Sequence, residues 1–180
     1  MRETRVSAVQ TLLLLRHAKS SWDDPSLEDF DRPLAKRGRK AAPRMAHHLK
    51  KKGLIPDLVL CSTAARAAET WGLVAEVLGE DIPVKYLKSL YLAPPSKMLA
   101  SIRHLAEAYP RVMLIAHNPG MEHLAAALAG PGSNQKALQK LYEKYPTAAL
   151  AEITFAASSW RQVERGSGRL VRLIWPKELT

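Results

Sequence analysis

Cysteine is almost absent from this chain, since Cys61 is the only one among 180 residues. One cysteine cannot form an internal disulfide or a multi-cysteine metal site, and it is what a reducing compartment permits. Long apolar runs are also absent, because the longest run near the start, 12–15, is too short for a membrane span or a signal-peptide core. We therefore expect a cytoplasmic protein with no membrane partner.

Acidic residues are the second scarcity, with 17 Asp and Glu against 27 Lys and Arg, which gives a formal net charge of +10. The chain is 47% hydrophobic and 24% charged, a composition typical of one globular domain with a substantial core rather than of a disordered chain. The excess positive charge favours anionic partners, so nucleic acid, an acidic membrane and a phosphorylated substrate are the classes to separate.

Much of this charge lies in one segment, 36–52, which holds eight Lys and Arg and no acidic residue. A solvated helix flank is the interpretation that we favour. Nucleic-acid binding is disfavoured, because no Phe, Tyr or Trp interrupts the segment to stack on bases and no nucleic-acid motif accompanies it. A docking surface for an acidic phosphoprotein is an intermediate alternative.

Short continuous apolar runs, typical of strands buried on both faces, recur along the chain. They predict strands over 11–15, 57–61, 84–87, 112–116, 149–155 and 170–175. Segments with apolar residues at helical spacing lie between most of these runs. They predict helices over 36–52, 64–78, 96–109, 122–129 and 135–144.

Glycine and proline mark the ends of several predicted helices. Gly53 and Gly79 follow two of them, as glycine commonly follows a helix C-terminus. Pro110 stops a third helix, whose expected N-cap is Ser96. Pro43 lies inside the first helix, so that helix either begins near Pro43 or bends there, because proline lacks a backbone donor.

Strands that alternate with helices predict one α/β domain with three layers, α/β/α, around a mainly parallel sheet. We place this domain at 11–180, after a flexible N-terminal tail at 1–10. In such a sheet the ligand site lies beyond the carboxyl ends of the strands. The residues that follow each apolar run are therefore the candidate site residues.

Two histidines and two arginines follow the predicted strands. Arg16 and His17 come directly after the first run, Arg66 comes shortly after the second, and His117 follows the fourth. Each alone has an ordinary explanation, as a strand end, a surface charge or a helix cap. Together they indicate phosphoryl transfer through a phosphohistidine, because guanidinium groups match phosphate oxygens and imidazoles can attack phosphorus or move protons.

Four ordered motifs carry a resemblance to a known family. Residues 14–22, LLRHAKSSW, resemble the RHG signature of the histidine phosphatase superfamily, with Ala18 where glycine is usual. Residues 31–38, 62–70 and 115–118 resemble its D-x-P-L-x-x-x-G, S-x-x-x-R-x-x-x-T and second-histidine segments, in that order. The resemblance covers essentially the whole chain, and the RHAKSSW and AHNPG wordings are similar to the SixA-type phosphohistidine phosphatase branch.

The resemblance implies a phosphoglycerate mutase-like fold and assigns roles to individual residues. His17 would be the nucleophile, Arg16 and Arg66 would grip the phosphoryl group, and His117 would donate to a phosphoryl oxygen. The two arginines would lower the pKa of His17 by like-charge repulsion and so keep it neutral. No metal or other cofactor is implied. The candidate substrate-binding residues are Lys19, Ser20, Ser62 and Asp23.

The proton donor to the leaving group departs from the family pattern. Mutase-like relatives carry a glutamate beyond the third strand, whereas residues 87–92 contain no acid. Its loss disfavours alkyl phosphate esters but not phosphohistidine, because an imidazole with an unperturbed pKa of about 6.5 can leave already protonated. Asp23 aligns with an asparagine that contacts phosphate in these relatives. Because an ionised carboxylate there would repel the substrate, Asp23 is either protonated and able to act as a replacement proton donor, turned away from the site, or engaged by a nearby cation. Asp24, Asp31 and Glu122 are weaker candidates.

Three functions are therefore compatible with the sequence. The first is a metal-independent phosphatase whose partner is a protein carrying phosphohistidine. The second is a phosphatase of small activated phosphate esters that uses the same pocket. The third is a non-catalytic module that binds a phosphoprotein without turnover, and the four intact histidine and arginine positions argue against it.

Overall fold

The computed structural model describes residues 9–79 and 81–180, and within them six strands form one mixed sheet. The strands are β1 (Val9–Arg16), β2 (Leu58–Ser62), β3 (Val84–Leu87), β4 (Arg111–Ala116), β5 (Leu150–Ala156) and β6 (Arg169–Ile174). Their order is β3-β2-β4-β1-β5-β6. The first four run parallel to one another, while β5 is antiparallel to both β1 and β6. The mainly parallel sheet predicted from the apolar runs is confirmed.

Helices cover both faces of this sheet. They are α1 (Lys36–Lys51), α2 (Ala65–Leu78), α3 (Pro95–Arg103), α4 (Gly120–Leu128) and α5 (Gln135–Glu143). The buried side chains of α1 and α2 pack on one face, and those of α3, α4 and α5 pack on the other. The three-layer α/β domain is therefore confirmed. Within the described residues, none of the helices has the length and apolar character that crossing a membrane requires.

The central strand β1 is buried on both faces over residues 12–15, which explains the unbroken run of leucines there. Leu12 and Leu14 are buried against the layer of α3, α4 and α5, whereas Leu13 and Leu15 are buried against α1 and α2. Arg16 is the first charged residue after this run, and it lies at the carboxyl end of β1, paired in register with the last residue of β4.

The first helix runs unbroken through its proline. α1 begins at Lys36 and contains Pro43 in its interior, so a helix start near Pro43 is wrong. The missing hydrogen bond is tolerated because α1 is held by its tertiary contacts, with Ala42, Met45 and Leu49 buried against the sheet and α2.

The third helix differs from its prediction at both ends. It begins with Pro95 rather than after an N-cap at Ser96, because proline at the first helical position loses no hydrogen bond. It ends at Arg103 instead of extending to residue 109. Leu105 and Tyr109 keep their contacts with the core from outside the helix, so their helical spacing was no guide to their conformation.

The first strand begins earlier than predicted. Val9 and Gln10 pair with Ala156 and Phe155 of β5, so two residues of the predicted tail at 1–10 belong to the sheet. The rest of that tail, 1–8, lies outside the described residues.

Candidate active site

His17 follows β1 directly and is buried, with 6% of its surface exposed. Its Nδ1 lies 2.7 Å from the carbonyl oxygen of Ala18. A carbonyl oxygen only accepts, so Nδ1 carries the proton and the neutral ring keeps a lone pair on Nε2. The Nε of Arg66 donates toward that nitrogen at 3.4 Å. The fold thus fixes the tautomer in which Nε2 is available as a nucleophile.

The protonation state of His17 is set first by burial. Burial lowers its pKa from 6.5 to about 3, and the charges of His117, Arg66 and Arg16 act in the same direction. The like-charge effect expected from the two arginines is present, but it is smaller than desolvation. A pKa of about 3 leaves the imidazole neutral near pH 7, as nucleophilic attack would require.

Arg66 opens α2 and is anchored by an aspartate. Its Nη1 donates to the backbone oxygen of Asp29 at 2.7 Å, and its Nη2 donates to the Oδ2 of Asp29 at 3.0 Å. Two further groups hold the same carboxylate, since the Tyr91 hydroxyl donates to Oδ2 at 2.5 Å and the Nη1 of Arg32 donates to Oδ1 at 2.8 Å. The Tyr91 hydrogen bond, with Arg32 and Arg66, lowers the pKa of Asp29 to about 2. Asp29 is therefore ionised at neutral pH.

Arg16 is held from the opposite side by the segment before β5. Its Nη1 donates to the backbone oxygen of Tyr145 at 2.8 Å, while the backbone N–H of Ala148 lies 3.1 Å from the carbonyl oxygens of both Arg16 and His17. The Nε of Arg16 is buried and has no partner among the described residues. Burial lowers the pKa of Arg16, although the guanidinium stays charged.

His117 lies beside His17, with their ring centroids 5.1 Å apart. Its Nε2 lies 2.7 Å from the Oγ of Ser62, which also accepts the backbone N–H of Ala64 at 3.3 Å. Within the described part of the chain, the Ser62 hydroxyl has no other acceptor than His117, so we assign its proton to that bond. The proton of the neutral ring then lies on Nδ1, which is buried and without a partner among the described residues. Burial, followed by the charge of Arg66, lowers the pKa of His117 to about 3.

The structure brings five of the eight predicted residues together and places the other three elsewhere. Arg16, His17, Arg66 and His117 meet at the carboxyl edge of the sheet, and Ser62 holds the His117 ring from behind. The other three candidates are placed elsewhere.

Lys19, Ser20 and Asp23 make no side-chain hydrogen bond to these four residues within the described chain. The Ser20 hydroxyl accepts from Arg32 at 2.5 Å, and Lys19 lines a separate cavity. Asp23 is exposed, and no ion pair joins it to Lys19 among the described residues. Their roles in substrate binding stay predictions.

Sequence reasoning missed Asp29 and interpreted Tyr91 as part of a rigid loop near the site, mainly a connector, without its contact to Asp29. Asp29 lies in a single 3-10 turn, Asp29–Asp31, and reaches Arg66 and Tyr91 across 37 and 62 residues of sequence. No periodicity or local motif carries that information. Arg32 belongs to a quoted motif, and the structure shows its function, which is to clamp Asp29 while its guanidinium carbon lies 3.3 Å from the centre of the Trp22 ring.

Three motif residues hold the backbone of the loop after β1. The hydroxyl of Thr70 accepts the N–H of Ala18 at 3.0 Å and donates to the carbonyl oxygen of Arg66 at 2.7 Å. Glu69 accepts the N–H of Leu34 at 2.8 Å.

The third motif residue is Gly38, which lies against this loop. A Cβ at Gly38 would come within 2.2 Å of the carbonyl oxygen of Lys19, so only glycine lets α1 approach so closely.

Among the described residues, no group of three or more His, Cys, Asp or Glu is arranged to hold a metal ion.

Comparisons with known sequences indicate the family of the chain. A family model described as the histidine phosphatase superfamily (branch 1) matches residues 12–91. An uncharacterised protein of Mycobacterium leprae (strain TN) is 33% identical over 166 residues, which cover 91% of this chain and 100% of that protein.

Solved structures extend the likeness over nearly the full length. A chain from Agrobacterium tumefaciens that carries the name SixA is 31% identical, with a TM-score of 0.78, and the match covers 93% of this chain and 98% of that one. The protein histidine phosphatase SixA solved with tungstate is 25% identical, with a TM-score of 0.77, over 95% of this chain and 100% of that one. Motif order, fold and overall identity thus agree, and the chain belongs to the histidine phosphatase superfamily.

Proposed function

We propose that the protein is a metal-independent phosphatase that acts through a phosphohistidine on His17, with protein phosphohistidine as its substrate. The family and its SixA-like neighbours support a phosphatase. The phosphohistidine substrate and a cytoplasmic location are the finer parts of the proposal. The observation that carries the proposal is the free lone pair on the Nε2 of His17, which faces Arg66. Among the described residues, no carboxyl group hydrogen-bonds to this nitrogen.

Hydrolysis takes two steps at this nitrogen. The Nε2 lone pair forms a bond to phosphorus while the bond between phosphorus and the leaving nitrogen breaks, and the bonding electrons depart with the leaving imidazole. Water then attacks the phosphorus of the phosphorylated His17. Inorganic phosphate leaves, the water proton goes to solvent or to phosphate, and the lone pair returns to Nε2.

Three side chains would bind the phosphoryl oxygens. Arg66 is next to the nucleophile, Arg16 has an unpartnered buried Nε, and His117 has an unpartnered buried Nδ1. Buried donors without partners cost stability, and an incoming phosphoryl group would satisfy them. The first backbone amides of α2 and α4 add positive dipole at the same edge of the sheet.

The leaving group decides which phosphates are good substrates. Asp29 has a pKa of about 2, so it is ionised and cannot protonate a departing alkoxide at neutral pH. Alkyl phosphates should therefore react poorly. An imidazole leaving group has an unperturbed pKa of about 6.5 and can be protonated before it departs, so it needs no acid from the enzyme. Both solved neighbours named above carry the SixA name, and one is described as a protein histidine phosphatase.

Phosphate release from three substrates tests this proposal. The substrates are a phosphohistidine peptide, an aryl phosphate and glycerol phosphate, each with chelator present. We expect the wild type to release phosphate from the first two and His17→Asn to lose at least about 1,000-fold in kcat. His123→Asn is the matched control, because His123 is exposed on α4 and should retain full activity.

The outcomes separate the alternatives. Equal rates for wild type and His17→Asn contradict the nucleophile. Aryl phosphate turnover without peptide turnover favours a phosphatase of small activated esters. Binding of the phosphopeptide with no release from any substrate favours the non-catalytic module, and a preference for glycerol phosphate contradicts the leaving-group argument. An acid-labile phosphoryl label that appears on the wild type and not on His17→Asn would support the intermediate directly.

A further inference from the structure

The histidine pocket is the site formed by Arg16, His17, Arg66 and His117. A second cavity, about 440 Å³ in volume, is lined by none of these four residues. One wall is α1, another is the loop between α5 and β5, and the third is the segment that follows β6. Six cationic residues line it, and no acidic residue does. They are Lys19, Arg37, Lys40, Arg44, Lys144 and Lys177.

These six cations lack direct ion-pair partners in the described part of the chain, although the charge of Lys177 acts on the neighbouring Glu178. Within residues 9–79 and 81–180, none of them forms an ion pair or a side-chain hydrogen bond. Other cations close by are paired, since Arg39 of α1 bonds to Glu69 and Lys140 bonds to Glu178. A concave site lined by charges of one sign concentrates the potential and attracts ions of the opposite sign.

The indole of Trp175 provides a further polar group in the wall of this cavity. Trp175 is 6% exposed, and its Nε1–H has no acceptor among the described residues. The ammonium groups of Lys144 and Lys177 lie 5.1 and 4.6 Å from the centre of its ring. The buried ring thus holds two of the six cations near the cavity through cation–π contacts.

We infer that this cavity binds a small polyanion that carries at least two phosphoryl groups. Its volume falls in the range of small-molecule sites, roughly 300–1,000 Å³. A single phosphate would leave most of the six positive charges unbalanced, whereas an oligophosphate carries enough negative charge to balance more of them. Arg37 and Arg44 supply forked donors that match phosphate oxygens, and the lysines supply point charges.

The two anion sites share structural elements, so an experiment must distinguish them. Lys19 lies two residues after His17, and its carbonyl oxygen accepts the N–H of Ala35 just before α1. The loop between α5 and β5 supplies Pro146 and Thr147 to the cavity, and its flanking residue Tyr145 accepts a hydrogen bond from Arg16. The cavity therefore lies next to the catalytic loop without containing His17, Arg66 or His117 among its lining residues.

Calorimetric titration with sodium tripolyphosphate tests the cavity. The test variant is Lys40→Gln with Arg44→Gln, which removes two charges from the cavity wall. The matched control is Lys51→Gln with Lys52→Gln, which removes two charges near the C-terminal end of α1, outside the cavity. We expect the test variant to bind at least about tenfold more weakly than wild type and the control to stay within about twofold. Unchanged aryl phosphatase activity of the test variant shows that it is folded.

Four results would overturn the inference. The first is that tripolyphosphate fails to bind the wild type. The second is that the two double variants lose affinity equally, which would indicate charge attraction without a site. Arg66→Gln abolishes binding, which places the anion in the histidine pocket. A pentaglutamate peptide binds as tightly as tripolyphosphate with the same sensitivity to Lys40→Gln and Arg44→Gln, which indicates an acidic protein partner. The inference is supported when tripolyphosphate binds more tightly than the peptide and only the cavity variant weakens it.

Discussion

Arg66 gives both terminal nitrogens of its guanidinium to Asp29, one to the backbone oxygen at 2.7 Å and one to the carboxylate at 3.0 Å. Its remaining Nε lies 3.4 Å from the Nε2 of His17. Asp29 thus orients the cation that faces the proposed nucleophile, and its negative charge offsets part of the positive charge of Arg66 and Arg32. This aspartate is a positioning residue, because it acts through Arg66.

Replacing Asp29 tests this positioning role. We expect Asp29→Ala to lower kcat/KM for an aryl phosphate about tenfold, because Arg66 loses a charged hydrogen bond that is only partly screened by solvent. Asp29→Asn keeps one acceptor for Arg66 and should recover most of that loss. Steady-state kinetics on both variants provide the measurement.

Asp31→Ala is the control for this comparison, because Asp31 is exposed and lies in the same turn. Its kcat/KM should match wild type. Equal losses for Asp29→Ala and Asp31→Ala, or no recovery in Asp29→Asn, would contradict a role in orienting Arg66.

Different features of the site have different visibility in the sequence. Arg16, His17 and His117 follow apolar strands directly, and parallel strands bring their carboxyl ends to one edge, so their meeting could be predicted. Asp29 and Tyr91 join the site through contacts between loops distant in sequence, which strand and helix periodicity does not encode. The fold class and the meeting of Arg16, His17 and His117 could therefore be predicted from the sequence, whereas the contact of Asp29 with Arg66 could not.

The environment of the basic segment 36–52 could not be predicted from the sequence either. Its composition indicates one run of positive charge, but in the structure some of these residues line the second cavity and another forms an ion pair. Arg37, Lys40 and Arg44 line the second cavity, whereas Arg39 pairs with Glu69. The helical spacing of positions 37, 40 and 44 places them on one side of α1. What faces that side depends on the chain after β6, which the segment itself does not specify.

The hydroxyl of Thr70 links the loop after β1 to α2, the helix that contains Arg66. We expect Thr70→Val to lower the free energy of unfolding by about 1–3 kcal/mol, because it leaves the buried N–H of Ala18 without an acceptor. It should also lower kcat/KM, since the same hydroxyl bonds to the carbonyl oxygen of Arg66. Urea denaturation and kinetics measure the two effects. Thr70→Ser keeps the hydroxyl and should stay close to wild type in activity, and a Ser variant as impaired as Val would refute the link.

Gly38 allows α1 to lie close against the loop after β1. A methyl group there would meet the Lys19 carbonyl oxygen at 2.2 Å, so Gly38→Ala should destabilise the fold by about 1–3 kcal/mol and reduce activity. Gly72→Ala is the matched control, because nothing lies within 4 Å of a Cβ at this exposed position of α2. That variant should gain about 0.5–1 kcal/mol from helix propensity. Thermal or urea denaturation that ranked the two variants in the opposite order would contradict the close approach.

The two buried histidines should make the fold less stable in mild acid. Burial lowers the pKa of His17 and of His117 to about 3, whereas both take up protons near 6.5 when unfolded. Between these values the unfolded chain binds protons that the folded chain does not, so stability falls as the pH falls below about 6.5. At about pH 5 each histidine should reduce the free energy of unfolding by on the order of 2 kcal/mol relative to neutral pH.

Urea denaturation from about pH 7.5 to about pH 5, in a buffer without phosphate, measures this loss. His17→Asn should remove only the contribution of His17, on the order of 2 kcal/mol at about pH 5, whereas His47→Asn, at an exposed position of α1, should leave the loss unchanged. Burial also lowers the pKa of His48, so the comparison of variants, rather than the total slope, isolates His17. Asp29 does not contribute in this window, because its stabilising ionisation is lost only below about pH 4, toward its folded pKa of about 2. A pH dependence identical in His17→Asn and wild type would show that folding does not lower the pKa of His17, and it would contradict the effect of burial on this imidazole.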